Sequence, residues 1–147
     1  MKLAQALKHK NRLIKKINNV KSNISEYNSN VKGATKEVDV AIAMKEYDQL
    51  IKDLIELKIK MFEASRSIRE HIFKLSELKA EISWLRGIST RRGEVRRQNY
   101  MGNDGESIEY EVVFSRQEIE TRVENNEAEI DKLQEEIDTF NYTTEID

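Results

Sequence analysis

The stretch that decides the fold spans residues 40–86 and reads VAIAMKEYDQLIKDLIELKIKMFEASRSIREHIFKLSELKAEISWLR. Alternating steps of three and four residues connect fourteen positions in it, and thirteen of these are apolar. Such steps average about 3.5 residues, which keeps one stripe of side chains against a partner helix and favours a left-handed supercoil. We therefore expect helical structure over about residues 37–86, with Gly87 as the C-terminal cap. The fourteen positions are Val40, Ala43, Tyr47, Leu50, Leu54, Leu57, Met61, Ala64, Ile68, His71, Leu75, Leu78, Ile82 and Leu85.

The sequence leaves open whether this stretch forms one helix or two. Neither Gly nor Pro interrupts it and the stripe keeps its phase, which favours one continuous helix. However, Ser67 is followed three residues later by Glu70, the spacing of a capping box that could restart a helix after a turn. One helix predicts an elongated rod, whereas a break near residues 65–67 predicts a compact four-helix bundle.

Helices are also predicted at both ends of the chain. A stripe of the same spacing, broken only by Lys10, predicts an N-terminal helix over about residues 3–30. Ser115 and Glu118 have the spacing of a capping box, which predicts that a C-terminal helix of about residues 115–141 begins at Ser115. Asn126 is the polar position of that helix's stripe, where an asparagine either fixes the register of a coiled coil or lies on its rim.

A β-hairpin is predicted between these helices, over about residues 94–114. Apolar side chains recur at every second residue from Ile108 to Phe114, as in a half-buried strand. Residues 102–105 read GNDG and supply the turn, since Gly and Asn tolerate positive φ. The predicted fold class is therefore mainly α: a long antiparallel coiled coil or helical bundle in one domain, residues 1–147, with a hairpin inserted before the C-terminal helix.

A second apolar stripe predicts self-association. It runs beside the first one and includes Met44, Ile51, Ile55 and Phe62. The rod arrangement is only two or three helices thick and leaves this second stripe uncovered, so we expect another chain to cover it and the protein to form a homo-oligomer.

The composition narrows the class of protein. Charged residues make up 35% and apolar residues 38%, which is typical of solvated helices with a narrow apolar seam. The chain has no cysteine, which excludes disulfides and thiolate sites. Its longest apolar run, residues 40–44, is far shorter than the roughly 20 residues that cross a bilayer, and a signal-peptide pattern is absent. We therefore expect a cytoplasmic protein without membrane contact.

Charge is distributed unevenly along the chain. Residues 1–36 carry nine Lys or Arg and one Glu, whereas residues 103–147 carry three basic and fifteen acidic residues. We favour the interpretation that the basic N-terminal helix lies beside the acidic C-terminal helix, in the same chain or a neighbouring one. The alternative is that the basic helix binds nucleic acid. The lysines that would do so are Lys2, Lys8, Lys10, Lys15 and Lys16.

An arginine cluster marks the start of the hairpin, with four guanidinium groups within seven residues. Guanidinium groups bind carboxylates and phosphates through paired hydrogen bonds. In one interpretation the second pair of arginines lies across the hairpin from Glu109 and Glu111 in cross-strand ion pairs. In the other, the cluster contacts an acidic protein partner or a phosphate, with Tyr100 and Tyr110 as aromatic neighbours. The cluster consists of Arg91, Arg92, Arg96 and Arg97.

The sequence supplies no catalytic, cofactor-binding or metal-binding candidates. It contains no glycine-rich phosphate loop and no zinc-ligand spacing, and its two histidines are far apart. His71 falls on the first stripe, where we interpret it as a core or interface residue. We therefore expect a protein that is not an enzyme.

Several segments resemble a family of helical bacterial cytoplasmic proteins, some of whose members carry the label septicolysin. The similarity includes the opening residues 1–7 (MKLAQAL) and LSEL at 75–78 with residues 82–85. It is strongest towards the end, in the strand at 108–114, Val123, KLQ at 132–134, ID at 137–138, Asn141 and TEI at 144–146. The resemblance implies a helical scaffold with a hairpin and no established activity. Together with the second stripe, it leads us to expect a self-associating coiled-coil scaffold or interaction protein, with the arginine cluster as its assembly or docking element. The alternative is a nucleic-acid-associated accessory protein that uses the basic N-terminal helix and the arginine cluster.

Overall fold

The computed structural model describes residues 1–98 and 104–147, and this part of the chain is mainly helical. It confirms the predicted fold class, since four α-helices are accompanied by a two-stranded antiparallel hairpin that precedes the last helix. The elements are α1 (Leu3–Tyr27), α2 (Val40–Ala64), α3 (Arg69–Arg86), β1 (Gly93–Gln98), β2 (Asp104–Tyr110) and α4 (Arg116–Thr143). The chain divides into two compact units, residues 1–69 with 137–147, and residues 70–136.

The first unit is built on α1 and α2, which pack through the predicted stripes. Lys16 forms an ion pair with Glu46 at 3.1 Å, and the Tyr27 hydroxyl donates to Glu37 at 3.2 Å. Because the partner's number rises as the α1 number falls, α2 runs back along α1. Buried stripe positions from the two helices form one core: Leu3, Ala6, Leu13, Ile17, Val20, Ala43, Leu50, Leu54, Leu57 and Met61.

Side-chain hydrogen bonds explain why α1 ends before residue 30 and α2 begins after residue 37. The Asn30 side-chain amide donates to the carbonyl of Tyr27 at 2.6 Å, which satisfies a terminal acceptor where α1 ends. Asp39 is the N-cap of α2, and its carboxylate accepts from the backbone N–H of Ile42 at 3.1 Å. The twelve residues between the helices hold Val31, which is 81% exposed and so lies outside the core.

The two ends of the chain meet in the first unit. The backbone N–H of Leu3 donates to Thr144 at 2.8 Å, and that of Ile146 donates to Met1 at 2.8 Å. Ile146 is 6% exposed and belongs to the same core as Leu3. The Lys2 ammonium adds an ion pair with Glu145 at 2.7 Å. The residues after α4 are therefore a structural part of this unit.

The stretch of residues 37–86 forms two α-helices, so the single continuous α-helix that the unbroken stripe favoured is not observed. α2 ends at Ala64, and one turn of 3₁₀ helix, Arg66–Ile68, precedes α3. The Ser65 hydroxyl donates to the carbonyl of Phe62 at 3.2 Å, a local bond of the kind that distorts helices. The first stripe nevertheless stays in phase, because Ile68 is buried within the 3₁₀ turn.

The second unit holds α3, the hairpin and the part of α4 before residue 137. Ile82 and Leu85 of α3 form a small core with Ile119 and Val123 of α4. The capping box predicted for α4 is confirmed: the N–H of Glu118 donates to the Ser115 hydroxyl at 3.1 Å, and the N–H of Ser115 donates to the Glu118 carboxylate at 2.8 Å.

Polar contacts between α3 and α4 show that the two helices are antiparallel. As the residue number rises along α3, the number of its partner on α4 falls. The contacts are His71 with Glu136 at 2.9 Å, Lys74 with Glu129 at 2.9 Å, and Glu81 with Arg122 at 2.7 Å.

Candidate protein-interaction site

The hairpin register differs from the one that the arginine interpretation required. Glu94 lies opposite Glu109 and Arg96 lies opposite Ser107, so the predicted cross-strand pair of Arg96 with Glu109 is wrong. Glu111 lies beyond the end of β2 and therefore has no opposite residue on β1. Period-two alternation specifies which face a residue occupies but not its partner, and the ladder also shifts register between Arg96 and Gln98.

One face of the hairpin is polar and mixed in charge. Glu94, Arg96 and Glu109 share this face, because positions 94 and 96 are two apart and 94 pairs with 109. Opposed glutamates repel each other, and the Ser107 hydroxyl donates a hydrogen bond to Glu94 beside them. All three charged side chains are exposed. This face therefore offers both signs of charge to a partner.

Arg91 meets Tyr110 at the base of the hairpin. The guanidinium carbon lies 5.2 Å from the centroid of the Tyr110 ring, within the range of a cation–π contact. An Arg91 Nη1 also lies 3.5 Å from the Tyr110 hydroxyl. The structure thus brings together two residues that the sequence proposed for docking, and it fixes the direction of the Arg91 side chain.

The remaining residues of the predicted site are less constrained. Arg92 and Arg96 are exposed and bond to no described residue. The backbone of Arg97 lies in β1, whereas Tyr100 lies outside the described residues. The proposed turn, residues 102–105, lies partly outside them as well. The guanidinium groups of Arg92 and Arg96 are therefore accessible in the described part of the chain.

The second stripe of α2 is exposed, as its position in the sequence predicts. Met44 is 45% exposed, Ile55 is 53% exposed and Phe62 is 54% exposed, while Ile51 is half-buried against the core. Ile59, one turn from Ile55, is 59% exposed. Single exposed apolar residues are ordinary on a protein surface, but a row along one helix is typical of a contact surface.

An aromatic notch that the sequence did not single out lies in the second unit. Trp84 is 64% exposed and Phe114 is 65% exposed, and both line an open cavity of about 300 Å³. Trp84 stands between two buried stripe positions, Ile82 and Leu85, so its off-stripe position was the available signal. Phe114 was expected on the apolar face of the hairpin, but β2 ends four residues before it.

The polar contacts between α3 and α4 shift carboxyl pKa values. The Asn126 amide donates to one Glu81 oxygen at 2.8 Å, and Arg122 donates to the other at 2.7 and 3.0 Å. These hydrogen bonds, first the one from Asn126, hold the pKa of Glu81 below its usual value. Lys74 lowers the pKa of Glu129 in the same way. Asn126 is half-buried, and its predicted polar position on the α4 stripe is used for this contact.

His71 is a half-buried interface residue. Its Nε2 lies 2.9 Å from a Glu136 oxygen, while its Nδ1 is buried and bonds to no described atom.

No group of three or more metal-binding side chains is present among residues 1–98 and 104–147. No helix in the described part of the chain is both long and apolar enough to cross a membrane.

Comparison with protein-family models, with curated proteins and with solved structures finds no match in any of the three. The resemblance to the septicolysin-labelled family therefore stays a prediction. The class that the fold defines is a helical protein with a hairpin inserted before its last helix. Its candidate site consists of exposed apolar and guanidinium side chains.

Proposed function

We propose that the protein is a self-associating helical scaffold of the cytoplasm, with the arginine hairpin as a docking element for an acidic protein partner. The observation that carries the proposal is the exposed second stripe of α2. Burying apolar surface is the main driving force of protein association, and Ile55 and Phe62 leave more than half of their surface accessible in one chain. A second copy provides that cover without any other component.

The docking role of the hairpin is supported by its accessible guanidinium groups. Arg92 and Arg96 are exposed, and Arg91 is oriented by Tyr110. Arg is enriched where proteins bind carboxylates or each other, because its planar group forms two parallel hydrogen bonds. Glu94 and Glu109 lie beside Arg96 and would repel a purely anionic polymer, which disfavours its binding. A protein surface of mixed charge fits better.

The nucleic-acid alternative has one observation in its favour. Lys8, Arg12 and Lys15 follow one another at helical spacing on the exposed side of α1. Of the five lysines predicted for this role, Lys2 and Lys16 form ion pairs with Glu145 and Glu46. The remaining basic stripe is short, so the scaffold role accounts for more of the surface.

Light scattering coupled to size exclusion, at low and high salt, tests the self-association. We expect a fixed multiple of the 17.2 kDa chain mass at both salts, because apolar association does not weaken with salt. Ile55→Glu should shift the protein toward monomer. Ile42→Glu is the matched control, since Ile42 is a 65% exposed residue of α2 outside the second stripe. A wild-type monomer at both salts would overturn the proposal.

The docking role needs a separate measurement. A fluorescent peptide that contains both Glu and Lys residues and carries a net negative charge can be titrated with the wild type and with an Arg92→Glu, Arg96→Glu variant. A DNA duplex is titrated in the same way. Peptide binding that the variant loses would support acidic docking. Duplex binding that depends on Lys8 and Lys15 and falls steeply with salt would support the alternative instead.

A further inference from the structure

The second stripe of α2 has a symmetry that suggests how a second copy binds. Its positions also follow steps of three and four, and its two polar positions carry opposite charges. Both of these side chains are exposed and neither bonds to any described residue. The six positions are Met44, Asp48, Ile51, Ile55, Lys58 and Phe62.

The order of these six residues is self-complementary when it is reversed. In an antiparallel helix pair with a two-fold axis at residue 53, Met44 faces Phe62 of the second copy. Ile51 likewise faces Ile55. Asp48 faces Lys58, and the two-fold axis repeats each of these layers. In antiparallel coiled coils the a position of one helix packs against the d position of the other in this way. Each layer of this pair is then either apolar with apolar or acidic with basic.

From this complementarity we infer that a second copy of the chain docks on the second stripe of α2 in antiparallel orientation, centred on residue 53. The inference rests on the proposed self-association and specifies its interface. A parallel pair in register would instead oppose Asp48 to Asp48 and Lys58 to Lys58, and like charges held together are unfavourable. The charges therefore select the antiparallel orientation.

Arg69 positions the ring of Phe62, which forms the end layer of the interface with Met44 of the second copy. The guanidinium carbon of Arg69 lies 3.8 Å from the ring centroid, and its Nη2 donates to the Phe62 carbonyl at 2.9 Å. Arg69 thus covers one part of the ring while the side chain stays 54% exposed. The thioether of Met44 from the second copy would contact the open part, a favourable sulfur–aromatic contact.

Charge reversal tests this interface directly. The dissociation constant of the dimer is measured by sedimentation equilibrium for the wild type, Asp48→Lys, Lys58→Asp and the double variant. Each single variant opposes like charges in two layers and should weaken dimerisation by roughly tenfold or more. The double variant restores opposite charges and should recover most of the affinity. Asp53→Lys is the control, because Asp53 is exposed on another side of α2.

The outcomes separate this interface from self-association in general. A wild-type monomer would overturn the proposed function. A wild-type multimer whose affinity is the same in Asp48→Lys as in the control would overturn the interface alone. Loss in both single variants without recovery in the double variant would also overturn it, because the opposed pair would then not exist. Circular dichroism of each variant establishes that the helices are intact.

Spin labels give a second measurement of the orientation. The chain has no cysteine, so Asp53→Cys and Lys60→Cys each supply one label site. Both positions face the same side of α2, seven residues apart. In the antiparallel dimer the two labels at residue 53, one in each copy, should be separated by about 0 Å along the helix axis, at 1.5 Å per residue. The two labels at residue 60 should be separated by about 21 Å along it. The label at residue 60 should thus report the longer distance, whereas equal distances would indicate a parallel pair and overturn the inference.

Discussion

Asn126 of α4 donates a 2.8 Å hydrogen bond to Glu81 of α3, and this bond lies over the small apolar core of the second unit. Arg122 bonds to the other oxygen of the same carboxylate, so both Glu81 oxygens have donors. The side chain of Glu81 is 24% exposed, the least of any acidic partner in the ion pairs of the described residues. The interface of α3 and α4 therefore depends on an ionised carboxylate.

This dependence predicts that acid weakens the protein. The folded pKa of Glu81 lies below its ordinary value of 4.5, so its contribution is fully present above that value and is lost as the pH falls through the folded pKa. The pKa values of Glu129 and Glu145 are lowered too, so they act in the same direction. We expect the urea midpoint to be constant from pH 7 to about pH 5 and to fall below it.

The variant Glu81→Gln measures how much of this acid dependence comes from Glu81. Its urea midpoint should be lower than that of the wild type at pH 7 and should fall less steeply in acid. Glu77→Gln, which removes an exposed carboxylate of the same helix, is the control. An acid dependence that is identical in Glu81→Gln and the wild type would contradict the assignment.

A second prediction concerns the end of the chain. Ile146 is 6% exposed in the core of the first unit, so Ile146→Ala should lower the free energy of unfolding by about 2–3 kcal/mol. Tyr142→Ala, at a residue that is 66% exposed, should change it by less than about 0.5 kcal/mol. Urea denaturation followed by circular dichroism measures both. A loss in Ile146→Ala as small as that expected for Tyr142→Ala would mean that residues 144–147 contribute no packing.

The apolar stripes were predictable because they record burial directly. Positions three and four apart share a helix face, and Leu50, Leu54, Ile82 and Val123 are buried as the spacing requires. The break at Ser65 was less visible, because a 3₁₀ turn preserves the stripe and depends on one hydroxyl that bonds locally. Neither Gly nor Pro marks it. The competing cue at Ser67 and Glu70 pointed to the right region.

The arginine site was predictable in its residues but not in its pairing. Alternation places Arg96 and Glu109 on one face, yet a ladder of either register satisfies that pattern. The observed pairing opposes Glu94 to Glu109, which no charge argument would have favoured. The notch at Trp84 was missed for a related reason, since an apolar residue off the stripe adds nothing to a periodic pattern.

A third prediction tests the cap of α4. Ser115→Ala removes the hydroxyl that accepts from the N–H of Glu118, and it should cost about 1 kcal/mol of stability. Ser76→Ala is the control. Ser76 is exposed in the interior of α3, where alanine is the better helix former, so this change should be neutral or slightly stabilising. A loss of equal size in the two variants would contradict the role of the capping box.

The last prediction compares two neighbours on α3 that face opposite environments. Leu85 is 2% exposed in the core with Ile119 and Val123, so Leu85→Ala should lower the free energy of unfolding by roughly 2–4 kcal/mol. Trp84 is larger but 64% exposed, so Trp84→Ala should change it by less than about 0.5 kcal/mol. Urea denaturation at a fixed protein concentration measures both, since association adds to apparent stability. A large loss in Trp84→Ala that grows with protein concentration would instead mean that the notch is buried in the assembly, because only an interface residue gives a stability loss that depends on concentration.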